Sequence, residues 1–80
     1  MATFGQLLRA KLAAAGMKKA TLQQLLADKG VHVHTHTIRR WTNNEFRPLG
    51  KKLVVLVDVL DVPKEERIRW YAAAATGGQI

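Results

Sequence analysis

The sequence predicts an all-α fold, a compact bundle of about five short helices. Three observations predict it. Apolar side chains recur at three- and four-residue spacing along most of the chain, the period of helices that bury one face. Residues that tolerate a left-handed backbone close these runs at Gly16, Gly30 and Asn43–Asn44. Eighty residues, 48% of them apolar, make one small domain with a thin core rather than a disordered tail or a two-domain protein. The domain is expected over residues 1–76, with 77–80 as a flexible tail.

Phe4, Leu7, Leu8, Leu12 and Ala15 form the stripe of a first helix, with Thr3 as its N-cap and Gly16 as its stop. In "TLQQLLADKG", Thr21 and Gln24 have capping-box spacing and Gly30 ends the run, so a second helix is expected with Leu22, Leu25 and Leu26 inward. "TIRRWTNN" puts Ile38 and Trp41 on one face of a short third helix, from about Thr35 to Thr42. "EFRPLG" is a connector, punctuated by Pro48 and Gly50. The valines of "KKLVVLVDVLDV" favour a strand by propensity, but Leu53, Leu56, Val57 and Leu60 fall at helical spacing, and a fourth helix is predicted. A fifth follows, with Asp61 as a possible cap, Pro63 near its first turn and Glu65 and Glu66 at the positive end of its dipole. On that helix Ile68, Tyr71, Ala72 and Ala75 are expected inward. Trp70 would then be partly exposed, and with Ala73 and Ala74 would offer a homodimer surface.

Thirteen Lys/Arg against six Asp/Glu give a net charge of +7. The pI of about 10.4 fits a domain that binds nucleic acid by displacing phosphate counterions, though it also fits simple solubility or attraction to an anionic membrane. Without cysteine there are no disulfides and no thiolate-ligated zinc. The chain has no serine, no carboxylate pair and no glycine-rich phosphate loop, so an enzyme is the least expected class and no cofactor is expected. Arg9 and Lys11 interrupt the N-terminal apolar run, and "LVVLV" is far shorter than the roughly 20 residues of a membrane span. The expected setting is soluble and cytoplasmic, in association with the nucleoid.

"VHVHTHTIRR" holds all three histidines, His32, His34 and His36. On a strand they would share one face, and such pairs bind zinc, but no Asp, Glu or Cys stands nearby in sequence and Arg39 and Arg40 repel a cation. The favoured reading has Val31 and Val33 pinning an extended turn to the core while His34 and His36 lead into the third helix, near phosphates or base edges. With Ile38 and Trp41 inward, the outer face of that helix would carry His36, Thr37, Arg39, Arg40 and Asn43, beside His34 and Thr35. Arginine forks onto guanine, asparagine pairs with adenine and threonine contacts phosphate or a thymine methyl, so this face suits a major groove about 12 Å wide. Lys51 and Lys52 either touch phosphate or are simply exposed; Lys18, Lys19 and Arg47 carry the same two readings.

The ordered set Thr21, Leu25, Gly30-Val31, Thr37-Ile38, Trp41, Asn43 and Arg47-Pro48 resembles the helix-turn-helix of the lambda-repressor-like (Cro/C1, or XRE) family. Leu53, Leu56, Leu60-Val62 and Pro63, Glu65-Glu66-Arg67 resemble that family's fourth and fifth helices, and the likeness runs from about Phe4 to Ala75. It implies a five-helix DNA-binding domain of a transcriptional regulator, usually one that grips a palindromic operator as a dimer. The family's phosphate-clamping glutamine at the start of the second helix is here Leu22, with Gln23 beside it as the candidate contact. Residues 18–20 lengthen the first connection, and "VHVH" lengthens the turn after Gly30.

The leading expectation is a sequence-specific reader of double-stranded DNA, of bacterial or phage repressor type. An excisionase-type winged helix is a second possibility and requires "KKLVVLVDV" to be a strand. A helical protein-interaction module with a basic face is a third.

Overall fold

The computed structural model describes residues 3–76, which form five helices: α1 (Phe4–Ala15), α2 (Lys19–Asp28), α3 (Thr35–Thr42), α4 (Lys51–Val59) and α5 (Lys64–Thr76). No strand occurs among the described residues. The expected tail, 77–80, lies outside them. α3 lies against α1 and α2, α5 closes on α1 and α4, and α2 touches α4.

α1 begins with a complete capping box. The Gln6 amide donates to Thr3 Oγ1 (3.2 Å), and the Thr3 amide donates to Gln6 Oε1 (2.9 Å). α2 starts three residues earlier than the Thr21–Gln24 spacing implies. Lys18 takes the N-cap position without a side-chain hydrogen bond, Thr21 is interior, and the extra residues Lys19 and Ala20 extend the helix rather than the connection.

α1 to α4 end in one way. A residue with positive φ stands at Gly16, Gly30, Asn44 and Asp61. The next amide then donates back to the last turn: Met17 to Leu12, Val31 to Leu26, Glu45 to Arg40 and Val62 to Val57, at 2.8–3.1 Å. These are Schellman closures, which satisfy carbonyls the helix leaves open. Asp61, expected to cap α5, is therefore the residue that terminates α4. In three of the four, the pair joined by the long bond is apolar and packs in or against the core (Leu12/Met17, Leu26/Val31, Val57/Val62). In α3 that pair is Arg40 and Glu45, both exposed.

The core joins Phe4, Leu8 and Leu12 of α1, Leu22 and Leu26 of α2, Ile38 and Trp41 of α3, Leu53, Leu56 and Val57 of α4, and Trp70 and Ala74 of α5. The predicted α4 stripe is buried throughout, including Leu60 beyond its end. On α1 only Ala15 departs from the expected stripe, being exposed at the last turn.

α5 is rotated from its expected setting. Trp70 is 2% exposed and Ala74 3%, with Ala73 half-buried, while Ile68 is 74% exposed and Tyr71, Ala72 and Ala75 face outward. Both faces carry apolar residues, so the larger ring decides. Trp70 meets Phe4 edge-to-face, with centroids 5.6 Å apart and planes at 89°. Trp70, Ala73 and Ala74 thus belong to the interior seam of α5 and do not form the exposed dimer surface expected of them.

Candidate nucleic-acid interface

Alternation along α3 divides it into two faces. Ile38, Trp41 and Thr42 are buried, whereas His36, Arg39, Arg40 and Asn43, spaced i, i+3, i+4 and i+7, are all exposed on the opposite side. Four polar side chains with hydrogen-bonding nitrogens therefore line one strip of a helix just over two turns long. Thr35 is half-buried. Thr37, expected on the strip, is half-buried too and turns toward α4.

The ends of α3 are fixed by its own side chains. His34 is the N-cap, with extended backbone, and its Nδ1 accepts the His36 amide at 3.1 Å. The His34 and His36 rings sit 5.2 Å apart. At the other end Thr42 Oγ1 donates to the Arg39 carbonyl at 2.7 Å, and Asn44 takes the left-handed conformation. Val31 is buried and Val33 half-buried against the core, so the turn before α3 is pinned as expected and carries no strand. His32 points outward from that turn, and no group of three His, Asp or Glu side chains gathers among the described residues.

Beside the strip lies an open groove of about 520 Å³, lined by Thr37 and Trp41 of α3, Phe46, Arg47, Pro48 and Leu49 of the connector, and Lys51 and Lys52 of α4. In sequence the connector reads as punctuation, and the signal for the groove is that Phe46 and Leu49 stand among cations. Arg40 bridges strip and groove, its guanidinium 5.1 Å from the centre of the Phe46 ring. Arg47 Nε is buried there without a hydrogen-bond partner. Gln23 is half-buried on α2, and its side chain makes no hydrogen bond among the described residues.

Charge is unevenly placed. Residues 1–57 hold ten Lys/Arg against Asp28 and Glu45, a balance of +8, whereas residues 58–80 hold three against four and balance at −1. Among the described residues the one ion pair joins half-buried Arg67 to exposed Asp58, 4.0 Å apart. No carboxylate there neutralises Arg39, Arg40, Arg47, Lys51 or Lys52. Cations on α3, the connector and α4, with the Asn43 amide beside them, suit anionic polymers that also present acceptors.

No family model, curated protein or solved structure matches this chain. No helix among the described residues is long and apolar enough to cross a membrane.

Proposed function

We propose that this chain is a sequence-specific double-stranded DNA-binding regulator of repressor type that lays α3 in the major groove. The observation that carries the reading is the strip His36, Arg39, Arg40 and Asn43: exposed, unneutralised and on one face of a helix locked at both ends. Arg39 and Arg40 would fork onto guanine and Asn43 onto adenine, while His34, Arg47, Lys51 and Lys52 flank them toward phosphate. The resemblance of the sequence to lambda-repressor-like proteins points the same way.

A palindromic site would bring two copies together, their α3 helices about 34 Å apart. The exposed stripe Ile68, Tyr71, Ala72 and Ala75 is the face of α5 on which a second copy would meet the first, within the least basic part of the chain. Occupancy of a promoter then represses by position and needs no chemistry. The excisionase-type alternative required a strand at Lys51–Val59; that segment is α4.

Selection from random duplexes, followed by titration of Arg39→Ala and Arg40→Ala on the selected site and on unrelated DNA, tests the proposal. A selected palindrome whose preference relaxes in either variant supports it. Salt-sensitive binding to any sequence alike would overturn the base-reading role.

A further inference from the structure

The groove between α3 and α4 has a character that phosphate contacts leave unused. Phe46 is 52% exposed and Leu49 67%, and both line it. Its floor is apolar, made of buried Trp41 and Pro48. Around this stand Arg47, Lys51 and Lys52, with no Asp or Glu among the lining residues. Arg47 is half-buried, and its Nε is shielded from water without a hydrogen-bond partner. A phosphodiester backbone would satisfy the three cations but leave Phe46 and Leu49 in water. An occupant that uses both must carry anionic groups beside large apolar side chains.

We infer that this groove is a docking site for an acidic, apolar-anchored peptide segment of another protein. Its anchors seat on Phe46, Leu49 and the Trp41–Pro48 floor, and its carboxylates pair with Arg47, Lys51 and Lys52. A volume of about 520 Å³ accommodates one or two such side chains, within the roughly 300–1,000 Å³ common for ligand sites. The exposed strip of α3 lies around the helix from Thr37 and Trp41, so a partner in the groove leaves Arg39 and Asn43 free. The inference does not depend on DNA binding.

The test is an amide chemical-shift titration of the isotopically labelled chain with a short synthetic peptide alternating Asp or Glu with Leu and Phe. Two control peptides carry Ser in place of Leu and Phe, or Lys in place of the acids; a duplex DNA is the fourth probe. The expected result is saturable shifts at Phe46, Arg47, Leu49, Lys51 and Lys52 with the acidic-apolar peptide and with neither control peptide, and at Phe46 and Leu49 none with the duplex. Phe46→Ser and Lys51→Glu, both at exposed positions, should each weaken binding about tenfold while leaving the remaining spectrum intact. Equal binding of the Ser control would reduce the site to a bare cation patch and overturn the inference. So would an unshifted groove at millimolar peptide, or shifts there with the duplex and not the peptide.

Discussion

The amide of Gly5, in the first turn of α1, donates to Asn44 Oδ1 at 2.9 Å, across 39 positions of sequence. Asn44 Nδ2 also donates to Thr3 Oγ1 at 3.1 Å, and Asn44 is itself the left-handed residue that ends α3. One side chain thus satisfies an orphan donor of α1 and ties the end of α3 to the start of α1. The approach is close enough that a Cβ on Gly5 would strike the Thr42 carbonyl oxygen.

Gly5→Ala should therefore destabilise the chain by about 1–3 kcal/mol, the usual cost of overpacking, although alanine favours helices. Asn44→Gly keeps the positive φ and loses both bonds, whereas Asn44→Ala loses both and is strained as well, so the alanine variant should be the less stable by about 1 kcal/mol. Urea denaturation followed by far-UV circular dichroism measures all three. An unaffected Gly5→Ala would mean that α1 and α3 are not held in this contact.

His34 caps α3 through an imidazole nitrogen, and that bond exists only on the neutral ring. His34→Ala should cost about 1 kcal/mol and His34→Ser much less, because serine supplies an acceptor of its own. The serine variant should therefore keep the start of α3 closed where the alanine variant leaves it open. Hydrogen exchange of the His36 amide reports on it. Equal exchange at one pH in the native chain and in His34→Ala would rule out the histidine cap.

Trp70→Ala should cost about 3–5 kcal/mol, the penalty for emptying a buried aromatic site. Ile68→Ser, on the exposed side of the same helix, should leave the unfolding midpoint within about 0.5 kcal/mol of native. Sedimentation of the Ile68→Ser variant then addresses the second copy: an undiminished dimer would place the contact elsewhere.

On a selected operator, Arg39→Ala and Arg40→Ala should each lose about 1–3 kcal/mol of discrimination against altered base pairs, whereas Lys52→Ala should weaken all duplexes alike and flatten the salt dependence. Titrations at two salt concentrations separate these. Arg40→Ala also removes the cation over Phe46, so its thermal midpoint needs measuring alongside.

Local chemistry determined much of this protein. Thr3, Gly16, Gly30 and the Asn43–Asn44 pair mark helix ends because caps and left-handed residues act within a few positions of themselves. The stripes of α3 and α4 are asymmetric enough that Ile38 and Trp41, or Leu53 and Leu56, have only one plausible side. The candidate strip on α3 was legible for that reason, with Thr37 as its one misplaced member.

Tertiary structure decided what the local pattern left balanced. α5 carries apolar residues on two faces, and the Phe4 ring, far away in sequence, draws Trp70 rather than Ile68 inward. Asp61 read as a cap for the helix after it, yet the buried pair Val57/Val62 makes it the end of the helix before. The groove beside α3 exists only because the connector Phe46–Gly50 folds back between two helices, and no periodicity records that. Propensities and caps are short-range; which face is buried, and what opens beside it, depends on the shape of distant neighbours.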